Sequence, residues 1–274
     1  MDPKQVSQVE EVPPTHPRYW SLVTRQKLVD ALREGIVVPH GLISHGRGEA
    51  FDYLLGERSH DFAVEAERAA VAAMMVARKP IISVNGNYAA LAADEIVQLS
   101  EVLGVPIEVN LFHRTEERIK RIEDFLKAHG AKLVYGVDCQ KTRLPNLQSP
   151  RGVVCVNGIY SADFVLVAIE DGDRTEALRR LNKVVVAIDL NPFSRTAQAA
   201  SITVVDEAIR ATRNMIRLAE ELKGRPKDDL RLILASYRNS EILSRAFKAL
   251  LERLSIAASK GVILDLGFPD EISL

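Results

Sequence analysis

Residues 80–109 read PIISVNGNYAALAADEIVQLSEVLGVPIEV. In this stretch a short apolar run is followed by a longer segment of helical periodicity and then by a second short apolar run. An apolar run of this length, bounded by turn-forming residues, is typical of a strand that is buried on both faces. Two such strands joined by a helix predict one βαβ unit of a parallel sheet.

The same alternation continues as far as Asp206. It predicts a Rossmann-like α/β fold, with a mostly parallel sheet and helices on both of its faces. The most clearly marked helix covers residues 115–129, because Thr115 is a favourable N-cap and Gly130 a favourable stop. The predicted strands cover residues 81–84, 107–109, 132–135, 164–167, 184–188 and 202–205.

Two helices are predicted before this alternation, over residues 21–34 and 61–78, and Ser21 is the expected cap of the first. Between them Arg47 is flanked by two glycines, and we expect a helix to begin near Gly48. The free N–H groups of such a helix would point at a bound anion.

After Gly224 the pattern is helical to about residue 254, with a last apolar run over residues 262–266. We therefore expect two parts. An α/β core with an N-terminal helical segment covers residues 1–223, and a helical C-terminal extension packed on that core covers residues 224–274.

The composition excludes several classes of protein. The chain has 36 Lys and Arg against 37 Asp and Glu, a net charge of -1, which argues against a nucleic-acid or membrane-binding surface. No apolar run is long enough to span a membrane, and the first 20 residues lack the order of a signal peptide, so we expect a cytoplasmic protein. Cys139 and Cys155 are interpreted as core or incidental residues, without a disulfide.

Polar loops follow the predicted strands at the edge where ligands bind in open α/β sheets. They are residues 85–87, 110–115, 170–174 and 189–196, and they contain Arg114, Arg174 and Arg195. Arginines suit phosphate and carboxylate oxygens, and Arg47 adds another near the N-terminus. The pattern predicts a nucleotide together with a second anionic substrate.

Several of these residues also have a purely structural interpretation. Asn85-Gly86-Asn87 is a common turn sequence, and His40 and His45 lack a third matching metal ligand. We therefore assign no metal-binding residue, although acidic groups such as Asp189 can bind Mg²⁺ or a ribose. The chain has no P-loop, no G-x-G-x-x-G after a strand and no G-x-S-x-G, which excludes P-loop kinases, standard dinucleotide dehydrogenases and G-x-S-x-G hydrolases.

Six segments, in this order, resemble the archaeal-type phosphopantothenate synthetase family of 4-phosphopantoate–β-alanine ligases. They are HPRY (16–19), GLISHGRGEAFDYLLGE (41–57), ISVNGN (82–87), EVNLFHRTEER (108–118), EDGDRTEAL (170–178) and AIDLNPFSRTAQ (187–198). The resemblance implies an ATP-dependent ligase core, a homodimer, and coenzyme A biosynthesis, with 4-phosphopantoate, β-alanine and ATP as substrates and AMP and diphosphate as products. Carried over by position, the ATP site comprises Arg25, Arg47, Asp189, Leu190, Asn191, Arg195, Thr196, Glu207 and Ala208.

We hypothesise an acyl-adenylate route, with Mg²⁺ expected alongside ATP. Arg47 and Arg195 are assigned to the ATP phosphates, and His113 to the proton of the amine, since an imidazole titrates near neutrality. The expected substrate-binding residues are Arg18, Asn85 and Asn87, and the expected catalytic residues are His45, Asn110, His113 and Arg114.

Two other functions fit the same residues. One is a nucleotide-dependent transferase or kinase that acts on another phosphorylated acid. The other is a non-catalytic module that senses nucleotides or anions, with the helical tail binding a partner.

Overall fold

The computed structural model describes residues 12–16 and 18–261, so the expected apolar run at 262–266 lies outside the described residues. The helices are α1 Tyr19–Arg33, α2 Pro39–Leu55, α3 Asp61–Val76, α4 Gly86–Leu103, α5 Glu116–Ala128, α6 Gly172–Arg180, α7 Arg195–Ala199, α8 Ala208–Leu222, α9 Lys227–Ser236 and α10 Asn239–Lys260. The strands are β1 Pro80–Val84, β2 Ile107–Val109, β3 Val134–Tyr135, β4 Lys141–Arg143, β5 Val153–Cys155, β6 Phe164–Ala168, β7 Val184–Ile188 and β8 Ile202–Val204.

Six strands form one parallel sheet in the order β3-β2-β1-β6-β7-β8. This is the order of the doubly wound nucleotide-binding fold, and it confirms the predicted fold class. All six predicted strands are present, with bounds that differ by at most two residues. The order reverses between β1 and β6, so a crevice opens at the carboxyl ends of these two strands.

The sheet is buried on both faces, which explains why its strands are continuous apolar runs. On one face the main core packs α3, α4 and α8 against the strands, with Val84, Ile107 and Leu166 at 2% exposure or less. On the other face a smaller core includes Val165 and Leu178. Helices α9 and α10 pack on α3, although the boundary at residues 223/224 stays a prediction.

Helix α5 confirms its prediction, since the Thr115 side chain accepts a hydrogen bond from the Arg118 N–H. The expectation of a helix start near Gly48 is wrong. Helix α2 begins at Pro39, because proline is favoured in the first turn, and Gly48 lies inside the helix with its N–H engaged. Ser21 is also inside its helix, where its hydroxyl donates to Glu49.

A short hairpin of β4 and β5 was not predicted, because β4 is only the polar tripeptide Lys141-Thr142-Arg143. Its register pairs Lys141 with Cys155. This pairing brings the Cα atoms of Cys139 and Cys155 to 5.7 Å, and the two residues form a disulfide. The interpretation of these cysteines as incidental is therefore wrong, because the strand pairing that joins them is not visible in their sequence spacing.

Among the described residues, no helix has the length and apolar character required to cross a membrane.

Reduction of the disulfide should destabilise the protein. The crosslink joins residues 16 apart, and closing a loop of about 15 residues stabilises a fold by about 3 kcal/mol through the unfolded chain. Urea unfolding of the oxidised protein, with and without a phosphine reductant, measures the difference. The double variant Cys139→Ser/Cys155→Ser is the control, because the reductant should leave its midpoint unchanged. Two free thiols in the oxidised intact protein would contradict the crosslink.

Candidate functional site

A cavity of about 620 Å³ opens at the carboxyl edge of the sheet, above the point where the strand order reverses. Helix α2 forms one wall, and the loops that follow β1, β2, β6, β7 and β8 form the others. The polar and charged lining residues are His40, Ser44, His45, Arg47, Asn85, Asn87, His113, Arg118, Arg151, Glu170, Asp171, Asp189, Asn191, Ser194, Asp206 and Glu207.

Asn85 connects the two central strands of the sheet. Its Nδ2 donates to the carbonyl oxygens of Ala168 (2.7 Å) and Ile169 (3.2 Å) at the end of β6. Its Oδ1 accepts from the Tyr88 N–H (3.0 Å) and so caps α4. Both ends of this amide therefore stabilise the point between β1 and β6 where the strand order reverses, which we call the switch point.

The next residues bring α2 and α5 close to α4. Asn87 Nδ2 donates to the Gly41 carbonyl of α2 (2.7 Å). Gly86 has no room for a side chain, because a Cβ would overlap the Ile36 carbonyl oxygen and Arg118 Nη2. The Asn85-Gly86-Asn87 sequence therefore lets α2 and α5 approach the start of α4 closely, in addition to turning the chain.

One end of the cavity is cationic. Arg118 donates to the Ile36 carbonyl (3.0 and 2.8 Å) and to the His113 carbonyl (2.9 Å). Burial and then nearby Arg151 lower the pKa of Arg118 to about 10, which leaves it charged at neutral pH. The ring of His113 lies 4.6 Å from that of His40, and burial, His40 and the two arginines lower its pKa, so His113 is mainly neutral at pH 7.

A buried ion-pair network lies beside this end. Glu170 contacts Arg174 and Arg151, and Arg174 Nη2 also donates to Ser83 Oγ (2.9 Å). Arg151 Nε lies 2.9 Å from Glu170 Oε1 and 2.9 Å from Asp171 Oδ2. Burial raises the pKa of Glu170, but the two arginines and the hydrogen bonds from Asp171 together outweigh burial and lower it overall. Burial and then Glu170 raise the pKa of Asp171 to about 6.

The other end of the cavity is formed by the loops after β7 and β8. Asp189 accepts from the Asn191 N–H (2.9 Å) and from Ser194 Oγ (2.5 Å), and burial raises its pKa. Glu207 Oε2 accepts from the N–H groups of Ile209 and Arg210 and so caps α8. These carboxylates shape the loops that line the cavity.

The structure brings ten of the predicted site residues to the cavity. They are His45, Arg47, Asn85, Asn87, His113, Asp189, Leu190, Asn191, Glu207 and Ala208. Burial is the main cause that lowers the pKa of His45, although Glu49 opposes the shift.

Six predicted site residues do not line the cavity: Arg18, Arg25, Asn110, Arg114, Arg195 and Thr196. Arg18 and Arg25 both pair with Glu49. The Arg195 side chain is 65% exposed and pairs with Asp173 and Glu176. The expected convergence of the arginines is thus only partial, because carboxylates outside the cavity hold several of them.

Of the other three, Thr196 and Asn110 support the cavity from behind. Thr196 Oγ1 donates to the Glu170 carbonyl (2.9 Å). Asn110 is buried and donates to the carbonyls of Arg151 and Val153. Arg114 is half-buried, and burial lowers its pKa while the nearby Glu108 raises it.

Sequence reasoning did not single out Arg118 or Arg151. The sequence gives a weak indication for Arg118. No carboxylate stands four residues before or after it, unlike the paired charges elsewhere on α5, so its charge has no partner at that spacing on its own helix. Arg151 has no such signal, because it reaches the cavity through the unpredicted hairpin.

A second buried cluster lies behind Asp206. Arg210 bridges Asp206 to Asp52 of α2 (2.7 and 2.6 Å), which fixes α2 to the loop after β8. Asn214 Nδ2 donates to Glu67 Oε1 (3.3 Å). Burial, and then the Asp206 charge, raise the pKa of Glu67 to about 9, so Glu67 is protonated in the folded protein at neutral pH.

Known proteins resemble this chain over most of its length. The family model described as phosphopantothenate/pantothenate synthetase matches residues 62–253. A protein of Thermococcus kodakarensis is 46% identical over 252 residues, which cover 92% of this chain and 96% of that protein. One of Methanosarcina mazei is 47% identical over 250 residues, 91% and 98% of the two chains. Both relatives are named 4-phosphopantoate–beta-alanine ligase.

The Glu67→Gln variant should gain stability over the wild type as the pH rises. The unfolded carboxyl releases its proton above its ordinary pKa of 4.5, whereas the folded one keeps it up to about 9, so raising the pH between these values favours unfolding. The variant lacks this titratable group. The free energy of unfolding of the variant minus that of the wild type should therefore grow by up to about 1.4 kcal/mol per pH unit.

Urea unfolding between pH 5 and 8.5 measures this difference. Glu65→Gln is the control, because Glu65 is exposed on the same helix and pairs with Arg245 at the surface. Parallel pH curves for the wild type and Glu67→Gln would show that Glu67 is not a buried acid.

Proposed function

Because the chain belongs to the phosphopantothenate/pantothenate synthetase family, we propose that it is an ATP-dependent ligase that joins 4-phosphopantoate to β-alanine. The product is 4'-phosphopantothenate, an intermediate of coenzyme A biosynthesis. The observation that carries the proposal is the cavity at the switch point. It is large enough for two anionic substrates and has a cationic end and a loop-lined end on opposite sides of Asn85.

ATP occupies the side formed by the loops after β7 and β8. In open α/β sheets nucleotides bind beyond the carboxyl ends of the strands. The loop residues Asp189, Leu190 and Asn191 contact the ribose or base, and Glu207 and Ala208 close the same side. Arg47 of α2 faces this cavity and is our candidate for the phosphates.

4-Phosphopantoate occupies the opposite side, above β1 and β2. Its phosphate and carboxylate need cations, and Arg118 and Arg151 line that end together with the neutral His113. The start of α4, at Asn85 and Asn87, adds the positive end of a helix dipole. The two substrates then meet above the switch point.

The reaction begins when the carboxylate of 4-phosphopantoate attacks the α-phosphorus of ATP. The new bond gives an acyl-adenylate, and diphosphate leaves. Arginines fixed in advance around the cavity stabilise the charge that develops on the transferring phosphoryl group without having to reorganise. Arg151 fits this role, because the Asn110 carbonyl and the Glu170 carboxylate hold it beside the end of β6 before substrate arrives.

Mg²⁺ is expected to accompany ATP. Among the described residues, no group of three His, Cys, Asp or Glu side chains is arranged to hold a metal ion. The cavity carboxylates are also occupied, for example Glu170 by two arginines and Asp189 by its own loop. These side chains do not fit a resident ion, so we expect the ATP phosphates themselves to supply the ligands.

Roles for Arg18, Arg25, Asn110, Arg114, Arg195 and Thr196 remain predictions, and so does the homodimer. Three of these arginines form ion pairs with carboxylates that do not line the cavity: Arg18 and Arg25 with Glu49, and Arg195 with Asp173. They would reach substrate only if those pairs opened.

Product analysis tests the function directly. With ATP and 4-phosphopantoate present, amide formation should require β-alanine, and AMP and diphosphate should appear in equal amounts with the amide. ADP with phosphate would indicate an acyl-phosphate route. Turnover without β-alanine would favour the kinase or transferase, and ligand-induced stabilisation without any product would favour the sensor.

Arg118→Met should raise the KM for 4-phosphopantoate at least tenfold, with a smaller change in the KM for ATP. The substitution removes a partly buried cation from the phosphopantoate end, and a charged hydrogen bond is worth about 1.5–3 kcal/mol. Arg121→Met is the matched control, because Arg121 lies on the same helix but pairs with Glu117 at the surface. Equal effects on the two KM values, or equal effects of the two variants, would contradict the assignment.

A further inference from the structure

Asp171 is a cavity carboxylate that a bound molecule can reach. It follows Glu170 at the carboxyl end of β6, next to the switch point, and it lines the cavity. Its side chain is 32% exposed, whereas that of Glu170 is 2% exposed and enclosed by Arg151 and Arg174. Of these two adjacent acids, only Asp171 is partly exposed. Its Oδ2 is buried against Arg151, so a ligand meets this side chain at Oδ1, which also caps α6.

The other cavity carboxylates are worse placed to meet a cation above the switch point. Both oxygens of Asp189 accept hydrogen bonds from its own loop. Asp206 is fully buried against Arg210 and Ser59. Glu207 follows β8, two strands beyond β6 and hence about 10 Å away across the sheet.

The second half of the proposed reaction requires an ionised carboxylate that can accept a proton. The nitrogen of β-alanine is an ammonium group near neutral pH, and it must lose a proton before it can attack the acyl-adenylate. A carboxylate both attracts the ammonium group and accepts its proton. His113, the base suggested by the sequence, has no charge with which to attract the ammonium group, because burial, His40 and the two arginines lower its pKa.

We propose that Asp171 binds the ammonium group of β-alanine and accepts its proton, so that the amino-acid subsite lies over the carboxyl end of β6. This inference rests on the proposed ligase function. Asp171 is held in place for the role, since its Oδ1 accepts from the Arg174 N–H (2.9 Å) and its Oδ2 lies 2.9 Å from Arg151 Nε.

The step balances without a further reactant. The ammonium group gives one proton to Asp171, and the freed nitrogen electron pair forms the C–N bond at the acyl carbon. The C–O bond to the phosphate of AMP breaks, its electron pair leaves on AMP, and the second nitrogen proton is lost to water. The pKa of about 6 leaves Asp171 ionised at pH 7 and more basic than an ordinary aspartate.

Asp171→Asn tests the proposal, because it separates the two half-reactions. Asparagine keeps the cap on α6 through its oxygen but has no charge and no basicity. Exchange of labelled diphosphate into ATP, dependent on 4-phosphopantoate and measured without β-alanine, should stay within about threefold of the wild type. Amide formation at pH 7 should fall at least about 100-fold, the usual contribution of a positioned base.

Two readouts separate a base from a structural residue. Raising the pH from 7 to 9 should restore part of the variant's amide formation, because the free-amine fraction of β-alanine increases. Hydroxylamine, which is uncharged at pH 7, should trap the acyl-adenylate as the hydroxamate at the wild-type rate. Asp171→Ser, which can also cap the helix, should behave in the same way.

Asp228→Asn is the control, because Asp228 stands in the first turn of α9 and pairs with Arg231 at the surface. The proposal is overturned if Asp171→Asn forms the amide at the wild-type rate, or if exchange and hydroxamate formation fall in parallel with it. A wild type that makes the amide without exchange contradicts the adenylate route instead. In that event the subsite is still tested by how the rate of amide formation of Asp171→Asn depends on the β-alanine concentration.

Discussion

The amide of Asn85 fixes the geometry on which the site depends. It closes the end of β1 against the end of β6 and caps α4 at the same time. At this point the chain leaves β1 and β6 towards different sides of the sheet, and the crevice between them must stay open to bind a ligand. A buried side-chain amide does this without filling the crevice. The walls of the cavity, from α2 to the loop after β8, are then arranged around that point.

The second constraint is electrostatic. The chain carries 36 basic and 37 acidic residues, yet the phosphopantoate side of the cavity has two cations, Arg118 and Arg151. Buried like charges are costly unless they are paired, and here Glu170 and Asp171 together balance Arg151 and Arg174 while leaving Arg151 at the cavity. Elsewhere carboxylates hold arginines away from it, as Asp173 does with Arg195. The near-zero net charge therefore coexists with a site suited to anions.

The sheet was predictable from the sequence because its strands are buried on both faces and appear as continuous apolar runs. The order of those strands was not, since local periodicity carries no information on which strands are neighbours. The hairpin was missed because β4 is short and polar, and with it the disulfide and Arg151 were missed. Ten predicted site residues line the cavity because strand-end loops converge in any parallel sheet. Arg18 and Arg25 do not, since their pairing with Glu49 depends on helix packing.

The central claim is that the switch point holds the two anionic substrates on opposite sides, with the reacting carboxylate above Asn85 and beside Asp171. A crystal structure with 4-phosphopantoate and a non-hydrolysable ATP analogue tests it most directly. The account predicts the ribose and base over the Asp189 loop, and the phosphopantoate phosphate at the Arg118 end. A carboxylate oxygen should lie close to the α-phosphorus, in line with the bond to the departing diphosphate. A carboxylate bound away from the α-phosphorus, or the two substrates in exchanged positions, would contradict it.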